Sequence, residues 1–322
     1  MFDLVGIELP CMDLNVNVDN LPDPDGTSLI NQLSWQGGGK VSSGIVAAAR
    51  LGADCAIIGA VGNDNYGRFI QSDFQRHTVN TEHLRIEAGK STPLSIVLSA
   101  KTTKSRSFMF RKGNANLPCL TKDDLDMVKR SKYLFVSMLR DEILHAVHVA
   151  RENGVGIIID ADSYSDTLRE SIPLIDIFIG SEYVHDAFFN DDHSDYALRS
   201  HCESLMKQGP RIVVFTLGKD GCAGVSKDGF FRIPAFNVPV VDTVGAGDVF
   251  HGAFMAALIK GYAPEECARY ASGASNIKIT RIGGRAGIPT WEVLERFLKD
   301  GYIDYTEINE RVKFYEKGIE HV

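Results

Sequence analysis

Short apolar runs recur along the chain and are separated by stretches of helical length. The runs at 4–9, 128–136, 155–160 and 175–179 are predicted to be strands. The stretch at 141–151, between two of these runs, is predicted to be a helix. Strands that alternate with helices indicate a parallel sheet with helices on both faces. The predicted fold class is therefore α/β.

Two other regions contain strand-like segments, and the first of them alternates apolar and polar residues in the pattern of a half-exposed strand. The first region begins at 14–18, and the second places strand-like residues at 94–98 and 107–110, on either side of a polar turn. Both regions are therefore predicted to contain short strands. A plain surface hairpin would produce much the same pattern, so the alternation alone does not assign a role.

Composition and charge narrow the class of protein. A chain of 322 residues, 44% hydrophobic and 24% charged, is large enough to bury a substantial core. Its net charge of -8 and the lack of a Lys/Arg cluster argue against a nucleic-acid partner. The N-terminal apolar run is too short for a signal peptide, and no run approaches a membrane span, so we expect a cytoplasmic protein with reduced cysteines. The cysteines are scattered: Cys11, Cys55, Cys119, Cys202, Cys222 and Cys267.

The stretch with the clearest chemistry is 242–248, Asp-Thr-Val-Gly-Ala-Gly-Asp. It follows an apolar, β-branched run at 238–241, expected to be a strand end or the approach to one, and leads into the strong helix former 253–259. A Gly-Ala-Gly turn at a helix start leaves backbone N–H groups free to bind an anion. Asp248 on the first turn would then lie beside that anion, placed to take a proton from a hydroxyl group. The alternative is a glycine-rich turn in which Asp248 is only a first-turn helix acid.

The segment 242–254, Asp-Thr-Val-Gly-Ala-Gly-Asp-x-Phe-x-Gly-Ala-Phe, resembles the C-terminal signature of the ribokinase-like sugar kinases, the PfkB carbohydrate kinase family. The resemblance implies a single three-layer αβα domain over 1–322, with a mostly parallel central sheet. It also implies a small β-sheet, built from about 14–35 and 92–111, as a lid over the sugar. It further implies transfer of the ATP γ-phosphate to a hydroxyl of a ribose- or fructose-like sugar, with Mg²⁺ on the phosphates. Homodimerisation through the lid is implied in the same way.

In this interpretation Asp248 is the general base, and the amides of Gly245, Ala246 and Gly247 hold the charge on the transferred phosphoryl group. Relatives also bind a monovalent cation, such as K⁺, against the carbonyl groups of residues that match Asp242 and Val244.

A glycine-rich loop that opens onto an Ala-rich helix occupies 37–52 and is similar to the family's sugar-binding signature. Gly38, Gly39 and Lys40 match the ribokinase form GGKGAN, whereas Ser43 stands where that form has Asn. Serine has shorter reach than the amide and lacks its paired donor and acceptor, so this departure puts ribose itself in doubt. A solvated charge is the alternative for Lys40.

Three more residues are predicted to bind the sugar. Asp13 follows the first strand and would bind two hydroxyl groups, unless it is an ordinary turn aspartate. Arg111 ends the second half of the small sheet, where some relatives carry a substrate-facing arginine; a strand-end arginine in water is the alternative. Asp162 matches the last residue of a D-x-N motif in fructokinase-like members. Ser163 and Tyr164 stand shortly after it, where acid-sugar kinases carry an arginine. That absence argues against a keto-acid sugar.

The nucleotide side is predicted from Thr216, Gly218 and Gly221, which match the family's nucleotide-binding turn, and from Asn276 beside adenine. A glycine-rich hairpin would look the same as that turn. Ser181 begins the segment that corresponds to the family's N-x-x-E, where its last position carries Val184 instead of glutamate, with Glu182 and Asp186 as substitute acids nearby. Because Mg²⁺ is often bound through water and phosphates, the change does not exclude activity.

Two rival functions use the same residues. A nucleoside kinase would need an aromatic partner for the base, for which Trp35 and Phe110 are the candidates. A catalytically silent binding protein would explain Ser181 and Val184, although it would have little reason to keep Asp248 in an intact anion turn. A dinucleotide-dependent oxidoreductase is weaker still, because no GxGxxG occupies the first strand–helix turn.

Overall fold

The structure is a computed structural model that describes residues 1–103, 105–117, 119–139 and 141–321. Its strands are β1 Leu4–Ile7, β2 Cys11–Val18, β3 Ile30–Gly38, β4 Cys55–Gly62, β5 Leu84–Glu87, β6 Leu94–Ala100, β7 Arg106–Arg111, β8 Tyr133–Val136, β9 Gly156–Ala161, β10 Ile177–Ser181, β11 Ile212–Thr216, β12 Cys222–Ser226 and β13 Gly229–Ile233.

The helices of these ranges are α1 Lys40–Arg50, α2 Asn65–Arg76, α3 Lys122–Lys129, α4 Asp141–Glu152, α5 Asp166–Ser171, α6 Glu182–Phe188, α7 Asp195–Met206, α8 Ala246–Ile259, α9 Pro264–Lys278, α10 Trp291–Asp300 and α11 Thr306–Lys317. Short 3₁₀ turns occur at Ile172–Leu174, Gly218–Asp220 and Gly318–His321. In the described ranges, no helix is long and apolar enough to cross a bilayer.

The large sheet has the strand order β13-β12-β11-β10-β9-β8-β1-β4-β5. From β11 to β5 every neighbouring pair is parallel, whereas β12 and β13 continue the edge antiparallel. Because all parallel strands point the same way, their carboxyl ends share one edge of the sheet. That edge is where open α/β sheets bind ligands.

Helices cover both faces of the large sheet. Successive residues of a strand point to opposite faces, and here Leu4 and Ile57 join a core with α1, α8 and α9, while Val5 and Ile58 join a second core with α4 and α7. All four side chains are 0% exposed. The predicted three-layer α/β fold is confirmed.

The small sheet has the order β3-β2-β6-β7. Strand β2 pairs antiparallel with β3 and parallel with β6, so the two segments predicted at 14–35 and 92–111 come together in one sheet. The strands extend a few residues beyond the first predicted segment, to Cys11 and Gly38. Lys104, within the second segment, lies outside the described residues. A lid function for this sheet stays a prediction.

A buried ion pair joins α2 to the loop after α9. Arg285 Nη1 lies 2.6 Å from Asp73 Oδ2, and their side chains are 0% and 1% exposed. Arg285 also donates through Nη2 to the Gly38 carbonyl, and the Gln36 side chain accepts from the Arg285 backbone N–H. This network holds β3, which carries the glycine-rich loop, against the loop that follows α9.

Two predicted strands are partly wrong. The run at 128–136 begins inside α3, whose start is stabilised by a capping box between Thr121 and Asp124, and only Tyr133–Val136 is a strand. The run at 238–241 is a loop that contains Pro239, which cannot donate to a ladder. Val241 and Asp242 instead both donate their N–H groups to the Ile279 carbonyl.

Candidate active site

A cavity of about 990 Å³ lies between the carboxyl ends of the large sheet, the small sheet and the start of α8. Most of the residues predicted for the site line it. They are Asp13, Gly39, Lys40, Asp162, Ser181, Thr216, Gly218, Gly221, Val244, Gly245, Ala246, Gly247, Asp248 and Asn276. Residues separated by more than 200 positions in the chain therefore meet in one cavity.

Glycines shape the turn that begins α8, for two different reasons. Gly245 precedes the helix with φ of 73°, and a Cβ there would lie 2.7 Å from the Gly284 Cα. A side chain is excluded by both the conformation and the neighbouring backbone. A Cβ on Gly247, in contrast, would meet nothing within 4 Å. Gly247 therefore leaves open space above the turn, into which an anion can fit.

Two of the three predicted amides are available to such an anion. Ala246 donates its N–H to the Thr243 carbonyl at 3.2 Å. Over the described ranges, the N–H groups of Gly245 and Gly247 have no protein acceptor. They lie at the positive end of the helix dipole of α8. The turn can thus bind an anion with Gly245 and Gly247, while Ala246 is engaged in holding the turn.

Asp248 lies in the first turn of α8 and is only partly accessible from the cavity. Burial raises the pKa of Asp248 well above its usual range, and the nearby Asp160 carboxylate acts in the same direction. The Lys40 ammonium opposes this shift. A carboxylate whose pKa is raised toward neutrality is better suited to accept a proton in catalysis.

Asp160, at the end of β9, and His251, one turn after Asp248, are functional candidates that were not selected from the sequence. The His251 Nε2 lies 3.5 Å from Asp160 Oδ1, and the two ring nitrogens also face the carbonyls of Gly247 at 2.7 Å and Ile179 at 3.2 Å. Burial raises the pKa of Asp160. The sequence does contain a signal for Asp160. Residues two apart on a strand share a face, so Asp160 is expected on the same face as Asp162, which is predicted to bind the sugar.

Asp13 and Gly39 line the cavity, and Gly38 adjoins the Asp13 carboxyl group. A Cβ on Gly38 would lie 2.3 Å from the Asp13 carboxyl group, and one on Gly39 would lie 2.4 Å from Glu8 Oε2. The glycines thus make room for two carboxylates, and a contact between Gly38 and the sugar stays a prediction. Cys11 Sγ donates to Asp13 at 3.3 Å, and burial raises the pKa of Asp13 to about 6.

Lys40, at the first position of α1, forms an ion pair with Asp162 in the cavity, and both side chains are 40% exposed. Although burial acts to lower it, the contact with Asp162 leaves the pKa of Lys40 above its usual value. Glu8 accepts the N–H groups of Val41 and Ser42, which fixes the start of α1. Lys40 is therefore held at the cavity wall by its helix and its partner.

Ser43 and Arg111 do not line the cavity, so the structure does not support their predicted sugar contacts. Ser43 is 2% exposed inside α1, where it packs among neighbouring elements. Arg111 turns away, donates to the Thr92 carbonyl at 3.3 Å and lies 5.9 Å from the centre of the Tyr66 ring. Trp35, proposed as a stacking partner for a base, packs against Tyr66 and is also outside the cavity.

A different arginine of the same strand reaches the cavity. Arg106, at the start of β7, lines it and donates from Nη1 to Thr243 Oγ1 at 2.7 Å. This contact brings the small sheet against the loop that precedes the anion turn. Arg106 was missed because it follows a polar turn with no motif around it, and only the pairing of β7 with β6 places it here.

The residues predicted for the nucleotide lie together on the opposite wall. Ser181 and Thr216 are neighbours in register on β10 and β11, and Ser181 caps α6 by accepting the Val184 N–H at 3.4 Å. Asn276 fixes a loop by accepting the Phe236 N–H at 3.1 Å. Gly218 and Gly221, in the turn that follows β11, both have positive φ.

Of the two substitute acids near Ser181, only Glu182 lines the cavity. Asp186 accepts hydrogen bonds from His185 and His193 instead. Val184 is 0% exposed and belongs to the core. Glu182 is therefore the remaining candidate for the acid missing from the N-x-x-E position.

The carbonyl groups of Asp242 and Val244, predicted to bind a monovalent cation, accept hydrogen bonds from the Lys278 ammonium. The Asp242 carboxylate accepts the N–H groups of Val244 at 3.0 Å and Gly283 at 2.8 Å. Asp242 therefore faces the protein interior rather than the cavity, and its carboxylate joins two loops. Burial lowers the pKa of Lys278 to about 8, against the opposing effect of Asp242 and Asp248.

The model of the pfkB family carbohydrate kinases matches residues 1–291. The chain belongs to this family. It is 25% identical over 327 residues to a 5-dehydro-2-deoxygluconokinase of Clostridium perfringens, which covers 95% of this chain and 96% of that protein. As a family member, the protein is a sugar kinase.

Solved structures of ribokinases share its fold. A ribokinase of Arabidopsis thaliana in complex with ribose and ATP superposes with a TM-score of 0.79 at 22% identity, covering 92% of this chain and 99% of that one. A putative ribokinase II of E. coli with ATP and Mg²⁺ gives 0.78 at 22% identity, covering 93% and 99%. These likenesses confirm the ribokinase-like architecture.

The family's kinase activity implies ATP and Mg²⁺, and the cavity has donors that fit the ion. Mg²⁺ prefers carboxylate oxygens, usually one or two of them, together with water and substrate phosphates. Asp160, Asp162 and Glu182 offer such oxygens from the ends of β9 and β10. The donor set is hard and anionic, as this ion requires.

Proposed function

We propose that the protein transfers the γ-phosphoryl group of ATP to a hydroxyl group of a small sugar of the ribose or fructose type. The observation that carries the proposal is the arrangement around Asp248. Its carboxylate lies beside the open amides of Gly245 and Gly247 and faces the same cavity as Asp13. A base, an anion site and a polar wall thus meet where a hydroxyl group and a phosphate would react.

In the proposed reaction, Asp248 accepts the proton of the sugar hydroxyl group as its oxygen attacks the γ-phosphorus. The bond between that phosphorus and the β,γ-bridging oxygen breaks, and ADP leaves. The amides of Gly245 and Gly247 bind the oxygens of the transferred group, on which negative charge lies. Mg²⁺, when bound, supplies positive charge to the phosphate oxygens. The remaining contribution is positioning.

The binding roles follow from the two walls of the cavity. Asp13 accepts hydrogen bonds from sugar hydroxyl groups, and Lys40 and Asp162 bind others. On the opposite wall, the nucleotide lies against the residues that β10, β11 and α9 supply. These are Ser181, Thr216, Gly218, Gly221 and Asn276.

A sugar acid is a second substrate class favoured by a specific observation. Arg106 and Lys40 are cations on the cavity wall, and a guanidinium group binds a carboxylate well. The relative from Clostridium perfringens is named for a deoxygluconate. Ser163 and Tyr164 leave the end of β9 without an arginine, but Arg106 reaches the cavity from β7.

A nucleoside kinase is the alternative of a different substrate class. Phe108 and Phe110 of β7 both line the cavity and are 57% and 64% exposed. An exposed aromatic ring can stack on a base. With Trp35 outside the cavity, Phe110 is the candidate that stays.

We also propose that the small sheet closes over the sugar and forms a homodimer contact. Its edge strands expose apolar side chains: Ile30 is 56% exposed and Met109 is 52% exposed. Apolar edges of this kind pair with other chains. Sedimentation equilibrium at micromolar concentration tests the contact, because a monomer at all concentrations would contradict it.

The substrate class is tested by ADP release with Mg·ATP across free sugars, sugar acids, sugar phosphates and nucleosides. Each compound is run with the wild-type protein and with Asp248→Asn prepared in the same way, so that a contaminating kinase is recognised. We expect turnover with at least one sugar or sugar acid that the variant loses. Turnover confined to nucleosides would contradict the proposal, as would a rate equal in both proteins.

A further inference from the structure

Lys278 is a fully buried cation directly behind the anion turn. It is the last residue of α9 and is 0% exposed. Its Nζ donates to the backbone carbonyl of Asp242 at 3.1 Å and to that of Val244. Lysine is almost never fully buried unless it is paired. Here the acceptors at hydrogen-bond distance are carbonyl oxygens, so the contact has the chemistry of a bound cation rather than of an ordinary ion pair.

Two hydrogen bonds to the Asp242 carboxylate fix the loop that the Lys278 ammonium group contacts. The Asp242 carboxylate accepts the Val244 N–H, which folds the 242–244 loop into a tight turn. It also accepts the Gly283 N–H, which fixes this loop against the one that follows α9. Gly245, the residue next to Val244, begins the anion turn. A change in the carbonyl positions of this loop would therefore move the amides that bind the phosphate.

A separate monovalent ion does not fit on the same two carbonyls. The family resemblance implies such an ion, and it would need the carbonyl lone pairs that the ammonium group now uses. Two positive charges a few ångströms apart also repel each other strongly in a buried site. The side chain and the ion are therefore alternatives, and this chain carries the side chain.

We propose that Lys278 is a built-in replacement for a monovalent cation and makes nucleotide binding and turnover independent of K⁺. Lys278 acts as a positioning residue, because it touches the loop that carries the anion turn rather than the substrate. The proposal rests on the kinase activity of the family and not on which sugar is phosphorylated.

The wild-type protein provides the first test. The affinity for a non-hydrolysable Mg·ATP analogue is measured by calorimetry in potassium chloride and in choline chloride at equal ionic strength. A coupled effector changes the affinity of a second ligand by about 5- to 150-fold. We expect a difference below about 5-fold, and a larger gain in potassium chloride would overturn the proposal. Because no sugar is needed, a wrong substrate class does not affect this result.

Two variants test the mechanism. Lys278→Ala removes the charge and leaves space at the carbonyls, whereas Lys278→Met removes the charge and fills the space. A hydrogen bond to a charged group corresponds to about 10- to 100-fold in affinity, so in choline chloride both variants should bind the analogue that much more weakly. Potassium chloride should restore the binding of Lys278→Ala and not that of Lys278→Met.

Thermal unfolding of both variants, followed in the two salts, separates loss of the fold from loss of the cation. If Lys278→Ala is stabilised by potassium chloride and Lys278→Met is not, the ion has taken the position of the ammonium group. Unchanged affinity of both variants in choline chloride would overturn the proposal, as would equal restoration by potassium. If neither variant folds, the wild-type comparison decides.

Discussion

Replacement of Asp13 by asparagine should stabilise the folded protein and weaken its activity. Burial raises the pKa of Asp13 from its ordinary 3.8 to about 6. At neutral pH the poorly solvated charge therefore lowers the free energy of unfolding. One pKa unit corresponds to about 1.4 kcal/mol, so above pH 6 the charge destabilises the folded protein by up to about 3 kcal/mol. Asparagine has the same shape and no charge. It should therefore raise the free energy of unfolding at pH 7 by an amount within this limit.

The dependence on pH gives the prediction its sign. A carboxyl group whose pKa is higher in the folded state destabilises the fold above the folded pKa, and the penalty disappears as the pH falls below the unfolded value. The advantage of Asp13→Asn should therefore shrink between pH 6 and pH 4. Other buried acids, such as Glu8, Asp160 and Asp248, titrate as well. The difference between variant and wild type removes their contribution.

The assay is urea unfolding of both proteins at several pH values, followed by steady-state kinetics with the identified sugar. The charged acceptor for the sugar is lost in the variant, so KM should rise by about 10- to 100-fold. A variant that is no more stable than wild type at pH 7, or whose difference in stability does not change with pH, would refute the reasoning. An unchanged KM would separate Asp13 from the sugar.

Three further predictions follow from the geometry. Gly245→Ala should lose about 2 kcal/mol or more of stability in urea unfolding, because residue 245 has a left-handed conformation and lies close to the backbone of Gly284. Gly247→Ala should keep its stability within about 1 kcal/mol. Its methyl group enters the anion site, so this variant should instead bind ATP more weakly. Equal behaviour of the two variants would contradict this account. Arg285→Leu leaves Asp73 as a buried unpaired charge and should lower the free energy of unfolding by about 3–5 kcal/mol, which a loss below 1 kcal/mol would disprove. Arg106→Ala should lower kcat/KM by about 10- to 100-fold with unchanged stability, and an unaltered kcat/KM would remove this arginine from the site.

Local sequence patterns were sufficient for the fold and for the anion turn. The alternation of strands and helices predicts the parallel sheet, and the acids that bracket the glycines at 242–248 predict an anion site with Asp248 beside it. The second signal lies within one short stretch, and the first is a series of such stretches, each recognisable by itself. The physical constraints that create them, such as the left-handed Gly245, are local as well.

Long-range pairing decided what the sequence could not predict. Arg111 and Arg106 belong to one strand, and only the pairing of β7 and its approach to Thr243 show that Arg106 faces the cavity. Lys278 lies 36 positions from Asp242, in a helix whose buried face looks ordinary in sequence. Ser43 matches a motif position, yet it packs inside α1. In each case the tertiary neighbours, which local periodicity does not encode, determine the role.

The central claim is phosphoryl transfer with Asp248 as the base. Its most direct test is the rate at which the phosphorylated sugar forms in a single turnover, measured for wild type and Asp248→Asn. The affinity for the ATP analogue is measured on the same preparations. General-base catalysis contributes about 10²–10⁴-fold, so the rate should fall by that factor while the affinity changes little. A variant that transfers the phosphoryl group at the wild-type rate would contradict the account.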